Sequence, residues 1–229
     1  MEEELSDLLY ENLSEFGYAS LGNLLSPSEC CQFMAMYKER HYYRKTVTMA
    51  RHQFGKGEYK YYTYPLPEKI LRLRERVYEK LVPIANQWAE YYKQPPFPKL
   101  HHDFLARCSK GGQHEPTPLI LKYEKGDYNC LHQDLYGEMS FPLQIAICLN
   151  KPGMDFEGGE FVLTHQRPRM QSVAEVVPQQ QGEGIVFVNN ARPVKGARGH
   201  YTVKTRHGVS RLRRGKRFVL GIIFHDAQS

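Results

Sequence analysis

The stretch Leu119–Asp134, LILKYEKGDYNCLHQD, alternates apolar residues and ends in His132-Gln133-Asp134. Residues two apart on a strand point to the same side. The spacing therefore predicts that the imidazole of His132 and the carboxylate of Asp134 meet one metal ion. A third ligand has to come from elsewhere in the chain, and His207, 73 positions after Asp134, is the candidate. Two imidazoles and one carboxylate on one face of a metal leave the opposite positions open for other ligands. Ten residues after His207, Arg217 opens the apolar run RFVLGIIF. A fixed cation there, on the next strand, can hold a carboxylate lying beside the metal.

A second His-x-Asp occurs in His101-His102-Asp103. It opens HHDFLARC, whose Phe104, Leu105 and Cys108 suit one face of a helix. On a helix, residues two apart do not face each other, so this copy is expected not to bind metal.

His132-x-Asp134, His207 and Arg217 together resemble the Fe(II)/2-oxoglutarate-dependent dioxygenases, whose facial triad has this donor set. The frame agrees: Tyr123-x-x-Gly126-x-Tyr128 before the first ligand, Gly158-Gly159-Glu160-Phe161 and Gly182-Glu183-Gly184-Ile185-Val186-Phe187 as strand openings, and His207-Gly208-Val209 leading to Gly215-Lys216-Arg217. The resemblance covers roughly residues 118–226 and is strongest to a bacterial group described as acting on damaged DNA. It implies that His132, Asp134 and His207 hold Fe(II). 2-Oxoglutarate would bind beside the iron with its far carboxylate on Arg217. A tyrosine hydroxyl, from Tyr123 or Tyr128, would complete that site, with Tyr123 favoured by its position relative to His132. O2 is the second cosubstrate, succinate and carbon dioxide are products, and ascorbate is expected to stimulate turnover. Two departures stand out. Val219 occupies the place, two residues after the arginine, where many relatives carry Ser or Thr, and Ile223 stands where AlkB-type nucleic-acid demethylases carry a second arginine. The ten-residue spacing from His207 to Arg217 looks more like prolyl-4-hydroxylases. The expected activity is oxidation of a macromolecule, with repair of alkylated nucleic acid first, a prolyl-4-hydroxylase-like protein hydroxylase as the alternative, and a non-catalytic jelly-roll binding protein as the third reading.

Composition bounds these readings. At 229 residues, with 41% hydrophobic and 24% charged residues, the chain has the make-up of a single globular domain. No apolar run approaches the roughly 20 residues that a membrane helix needs, and the acidic start MEEELSDLLYENL is unlike a signal peptide. Five cysteines, Cys30, Cys31, Cys108, Cys130 and Cys148, follow no disulfide or metal spacing and read as reduced thiols of a cytoplasmic protein. Net charge is +6, and no Asp or Glu occurs from Gly184 to His225. Lys204, Arg206, Arg211, Arg213, Arg214, Lys216 and Arg217 crowd that stretch. It reads either as a solvated basic face or as a positive mouth for 2-oxoglutarate and a phosphate backbone.

The elements that must position these residues follow from periodicity. Leu5, Leu8, Leu9, Leu13 and Phe16 predict an amphipathic helix over 3–16, then a short strand over 18–25. Ser26-Pro27-Ser28-Glu29 is a capping-box start for a helix running to about Glu39. Residues 41–64 interleave seven tyrosines and phenylalanines with Arg44, Lys45, Arg51, Lys56 and Lys60 around Gly55 and Gly57. That is either a glycine-hinged lid that stacks nucleic-acid bases or a peptide, or a β-hairpin packed on the barrel. A long helix starts at Pro67-Glu68, with Ile70, Leu73, Val77, Leu81, Ile84 and Trp88 as its buried stripe and Pro83 as a kink. From Leu119 short strands between Gly and Pro turns dominate. The predicted architecture is α+β: a helical region over 1–117, part of the same domain, buttressing a double-stranded β-helix over 118–229, a cupin-like jelly-roll of about eight strands.

Overall fold

The computed structural model describes residues 2–134, 137–197 and 199–228, with side chains from residue 7 onward. Leu5 therefore lies outside the described side chains. Sixteen strands carry the fold among the described residues. They are β1 (Tyr18–Asn23), β2 (Tyr43–Thr48), β3 (Gly55–Lys56), β4 (Glu58–Tyr62), β5 (Gln113–Glu115), β6 (Leu119–Glu124), β7 (Tyr128–His132) and β8 (Leu143–Cys148), followed by β9 (Phe156–Gly158), β10 (Phe161–Gln166), β11 (Val173–Val177), β12 (Glu183–Val188), β13 (Ala191–Gly196), β14 (Gly199–Val209), β15 (Leu212–Ile223) and β16 (Ala227–Gln228). A major sheet runs in the order β1-β12-β8-β15-β6-β4-β2, and a minor sheet in the order β11-β10-β14-β7-β3, with antiparallel pairing throughout. The two sheets face each other as a jelly-roll, as the sequence predicts.

Parity along the strands explains both layers. On β15, Leu220 and Ile222 pack with Ile120, Leu143, Ile145 and Ile147 against the helices. Val219 points the other way, with Ala146, Ile185 and Phe187, toward Phe161 and Leu163 of the minor sheet. All six residues of β8 are buried, because the major sheet is covered on both faces; such strands lose the polar alternation of a one-sided sheet. The helices supplying the outer cover are α1 (Glu2–Glu15), α2 (Pro27–Met36), α3 (Glu68–Tyr91) and α4 (His101–Lys110). The predicted stripe of α3 is buried in full, and the helix continues through Pro83. Each such side chain removed from water contributes about 1.5–3 kcal/mol.

Ser26 and Glu29 cap α2 reciprocally, with Ser26 N–H donating to Glu29 Oε2 at 2.8 Å and Glu29 N–H to Ser26 Oγ at 3.3 Å. The helix ends at Met36, earlier than expected. Tyr37 turns away to donate to Glu58 Oε1 at 2.6 Å and to meet Phe218 edge-on, and the chain bends into a 3-10 turn, Arg40–Tyr42, before β2. Residues 43–62 fold as the hairpin alternative. β2 pairs with β4, and β4 joins β6 of the major sheet, while the short β3 between them pairs with β7 of the minor sheet. Gly55 permits this (φ +127°), since a Cβ there would lie 2.4 Å from the Tyr128 carbonyl oxygen. The N-terminal region thus supplies strands to both sheets as well as helices. None of the helices is long and apolar enough to cross a membrane, among the described residues.

Arg74 of α3 fastens the helical layer to the C-terminus. It is fully buried, donates to the Ile223 and His225 carbonyls, and pairs with Asp226 at 2.7 Å. Around it lie two buried neutral histidines. His101 Nε2 meets the Phe224 carbonyl at 2.8 Å, and His225 Nδ1 accepts from Phe141 N–H at 3.1 Å. Burial first, and then the charge of Arg74, push both down to about 3. Because the folded values lie below the unfolded one, the unfolded chain binds more protons between roughly pH 6.5 and 3, and stability falls as pH drops through that window. The expected loss by pH 5 is about 2 kcal/mol per histidine. Urea unfolding at pH 7.5 and 5 should show it, and His101→Gln, which keeps a donor for Phe224 but cannot titrate, should shrink the pH dependence by about 2 kcal/mol.

Candidate metal centre and anion pocket

Two cross-strand pairs build the site. In the minor sheet His207 of β14 is the register partner of His132 of β7. In the major sheet Arg217 of β15 is the register partner of Tyr123 of β6. Directly opposite residues project to the same face, so each sheet presents two functional side chains to the space between the sheets. His207 and Arg217 are on consecutive strands in the chain but in opposite sheets. Arg217 sits in the middle of β15, not at its start as the apolar run suggested.

Asp134 lies two residues beyond the end of β7, so strand alternation does not place it. Polar side chains do. Its N–H donates to Asn189 Oδ1 at 2.9 Å, the Asn189 amide returns a bond to the Asp134 carbonyl, and Gln144 Nε2 donates to Asp134 Oδ2 at 3.0 Å. Gln133 is tied to Asn190 and to the Thr205 carbonyl. The carboxylate then reaches both imidazoles, His132 Nε2 at 3.5 Å and His207 Nε2 at 3.2 Å, and the ring centroids are 4.2 Å apart. One ligand atom from each of the three lies within 4.8 Å of the others. His132 Nδ1 meets the Cys130 carbonyl at 2.7 Å, which makes that nitrogen the proton carrier and leaves the Nε2 lone pair for a metal.

The charges agree with a cation site. Burial opposes charge on Asp134, but hydrogen bonds and charge from the two imidazoles outweigh it and hold the carboxyl well below its usual range. Burial also works against protonation of His132, yet Asp134 prevails and raises it. At the more deeply buried His207 burial wins and the value falls. The set is therefore anionic or neutral unless a cation joins it. Two nitrogens and one oxygen fit a first-row divalent ion such as Fe(II).

Across the cavity the polarity reverses. Arg217 is 2% exposed and has no acid within ion-pair distance among the described residues. One of its terminal nitrogens donates to Gln179 Oε1 at 2.6 Å, and the other, Nη1, is buried without a partner. Tyr123 beside it is fully buried, its hydroxyl makes no hydrogen bond of good geometry, and burial raises its pKa. A buried cation without a counter-charge is costly, so the pocket suits an anionic ligand. The cavity of about 400 Å³ is lined by the triad, Gln144, Tyr123 and Arg217, with Leu119, Leu121, Ile145, Phe161, Phe187 and Val219 as apolar wall.

Tyr128 does not line this cavity; its ring carries the Arg211 guanidinium at 4.5 Å. His101 is buried in α4, while His102 and Asp103 pair with each other on the surface, so the second His-x-Asp gathers no ligand set. Gln144, Asn189 and Gln179 escape sequence reasoning, because lone amides in loops and strands carry no spacing signal.

The basic stretch is partly neutralised. Arg213 pairs with Glu160 of the link between β9 and β10, Arg214 with Glu157 of β9 and Lys216 with Glu124 of β6. In the hairpin Arg44 is held by Glu115 and Lys56 by Asp127. Lys45, Arg51, Lys204 and Arg206 remain exposed.

Residues 57–227 match a family model, Oxygenase-NA, described as an oxygenase catalysing oxidative methylation of damaged DNA. An uncharacterized protein of Mycobacterium tuberculosis is 48% identical over 164 residues, covering 71% of this chain and 70% of the relative. Among solved structures, a Pseudomonas putida prolyl-4-hydroxylase superposes with a TM-score of 0.57 at 15% identity, covering 96% of this chain and 98% of that one. A 2OG-Fe(II) oxygenase family oxidoreductase from Burkholderia pseudomallei gives 0.56 at 15% identity, covering 98% and 93%. These two share the jelly-roll fold.

Single alanine substitutions at His132, Asp134 or His207 should abolish high-affinity divalent-metal binding, measured calorimetrically with Fe(II) under nitrogen or with Mn(II). Each leaves two ligands, and removal even of supporting groups typically costs ten- to a hundredfold in affinity. Metal binding by His102→Ala and Asp103→Ala should equal that of the parent protein. Undiminished binding by Asp134→Ala would refute the assignment.

Proposed function

Because the chain belongs to the Oxygenase-NA family, and is an oxygenase on the jelly-roll fold of the 2OG-Fe(II) enzymes, we propose that it is an Fe(II)- and 2-oxoglutarate-dependent dioxygenase acting on damaged nucleic acid. The observation that carries the cofactor assignment is the pairing, within one cavity, of an open two-histidine, one-carboxylate set with a buried, uncompensated arginine. A metal alone does not require Arg217, and an anion alone does not require the triad; a metal-binding diacid requires both.

With Fe(II), 2-oxoglutarate and O2 bound, the chemistry supplied is oxidative decarboxylation to succinate and carbon dioxide, with the second oxygen atom delivered to a substrate C–H bond. The residues do the positioning. His132, Asp134 and His207 would hold the metal. Gln144, through its bond to Asp134 Oδ2, fixes the orientation of that carboxylate. Arg217 would receive the far carboxylate of the diacid and the Tyr123 hydroxyl would donate to it, each contact satisfying an atom that is otherwise buried without a hydrogen-bond partner. The apolar walls exclude water.

Support for a nucleic-acid substrate comes from the family description and from the mouth. Phe54 and Leu131 line the cavity and are 48% and 46% exposed. His52 stacks on Phe54 at 5.3 Å, and exposed Arg51 lies in the same turn. Exposed aromatic faces beside free cations suit a single strand. Five free cysteines fit a reducing cytoplasm.

Succinate should form from 2-oxoglutarate only when Fe(II) is added. In Arg217→Ala the affinity for 2-oxoglutarate should fall roughly ten- to a hundredfold, the worth of one charge-assisted hydrogen bond, while metal affinity stays unchanged. On single-stranded DNA, log affinity should fall linearly with log salt. Replacing Lys45, Arg51, Lys204 and Arg206 together should lower the slope by roughly one for each phosphate that is no longer neutralised. An unchanged slope, together with hydroxylation of a proline-rich peptide detected by mass spectrometry, would instead establish a protein hydroxylase.

A further inference from the structure

Gln179 lies between β11 and β12, directly after Pro178, and is 8% exposed. Its amide oxygen accepts from Arg217 at 2.6 Å, and its amide nitrogen donates to the Ala146 carbonyl at 3.4 Å. The Ala146 bond leaves the oxygen, not the nitrogen, facing the guanidinium. Residue 219, on the same face of β15 as Arg217, is valine and offers no hydroxyl. Gln179 is therefore the side chain that satisfies one amine of Arg217 while the other is left open.

A second cavity adjoins the first. Its lining includes Gly158, Gly159, Gln179, Arg213 and Arg217, so Arg217 and Phe161 belong to both. Gly159 makes room for the arginine stem: a Cβ there would meet Leu212 Cδ1 at 2.7 Å and Arg217 Cδ at 3.3 Å. The guanidinium thus has two spaces to serve, and among the described residues no acid holds it in either one.

We propose that Gln179 is a positioning residue that sets which cavity receives the charge of Arg217, and thereby sets 2-oxoglutarate affinity. The inference rests on the reading that Arg217 binds the diacid. Neutrality is essential to the role. A carboxylate at position 179 would form a buried ion pair with Arg217 and cancel the charge meant for the ligand. An apolar residue would leave both amines unsatisfied and the guanidinium free to turn into the second cavity. Glutamine does neither: it accepts one hydrogen bond and leaves the net charge intact.

The test compares Gln179→Glu, Gln179→Leu and Arg217→Ala with the parent enzyme. 2-Oxoglutarate binding is measured by calorimetry on Fe(II)-loaded protein under nitrogen, and KM and kcat for succinate formation are measured separately. Gln179→Glu should weaken 2-oxoglutarate binding roughly tenfold or more, as removal of a charge-assisted hydrogen bond does. Thermal stability should hold or rise, since the new carboxylate meets an unpaired cation. Gln179→Leu should also weaken binding. In both, KM for 2-oxoglutarate should rise while kcat stays within about twofold and metal affinity is unchanged, a split that general damage to the fold does not produce. If Arg217→Ala weakens binding but both Gln179 variants bind like the parent, the inference fails and the assignment of Arg217 stands. If Arg217→Ala also binds like the parent, both fail.

Discussion

A guanidinium sealed from water with no acid beside it is the constraint around which this molecule is arranged. Arg217 is 2% exposed, and a buried cation of this kind is strongly destabilising unless something compensates it. Here the compensation is built in part: one hydrogen bond donated to Gln179, the face of Tyr123, and an opening toward a cavity. The other wall of that cavity carries the opposite electrostatic problem, a carboxylate and two imidazoles converging within a few ångströms. The carboxylate is held by its two imidazoles and by Gln144, whereas the guanidinium keeps one terminal nitrogen open. A cation on one side and a diacid reaching to the other, as proposed above, would answer the charge of both walls.

The jelly-roll makes that arrangement inexpensive in sequence. Register does what proximity in the chain cannot: one antiparallel pairing sets His132 against His207, another sets Tyr123 against Arg217, and the packing of the two sheets brings the pairs to one cavity. The helices contribute by covering the far face of the major sheet, where Leu220 and Ile222 meet the stripe of α3. That cover lets β8 and β15 be apolar on both faces, and it frees their inner positions to hold Gln144 and Arg217. A prolyl-4-hydroxylase is among the solved structures that share this fold, so the scaffold by itself does not name a substrate.

Much of this was legible in the chain because the relevant signals are local or rigidly spaced. His132, Asp134, His207 and Arg217 are visible as types at fixed separations, and the stripe of α3 and the capping box of α2 are visible as periodicity. What was not legible depends on contacts between distant segments. Asp134 is aimed by Asn189 and Gln144 rather than by strand alternation, and nothing in HQD announces those amides. The acid-free stretch reads as a basic face, yet Glu124, Glu157 and Glu160 pair with three of its cations, Lys216, Arg214 and Arg213. Both Tyr123 and Tyr128 are candidates by spacing, with Tyr123 favoured; the fold lines the cavity with Tyr123 and leaves Tyr128 under Arg211. The early end of α2 likewise reflects a partner, Glu58, that lies 21 residues from Tyr37.

The hairpin of residues 43–62 has its long strands in the major sheet and its short β3 in the minor one. It is a hydrogen-bonded collar across the two halves of the barrel, next to the residues that rim the opening. A rim stitched to both sheets does not widen unless ladder bonds break, so the aperture is a fixed gauge. A macromolecular substrate of the kind proposed would have to present a protruding group, a base swung out of its stack or a single side chain, to pass such a rim. Selection thus begins with shape, before any hydrogen bond to the reacting group is made.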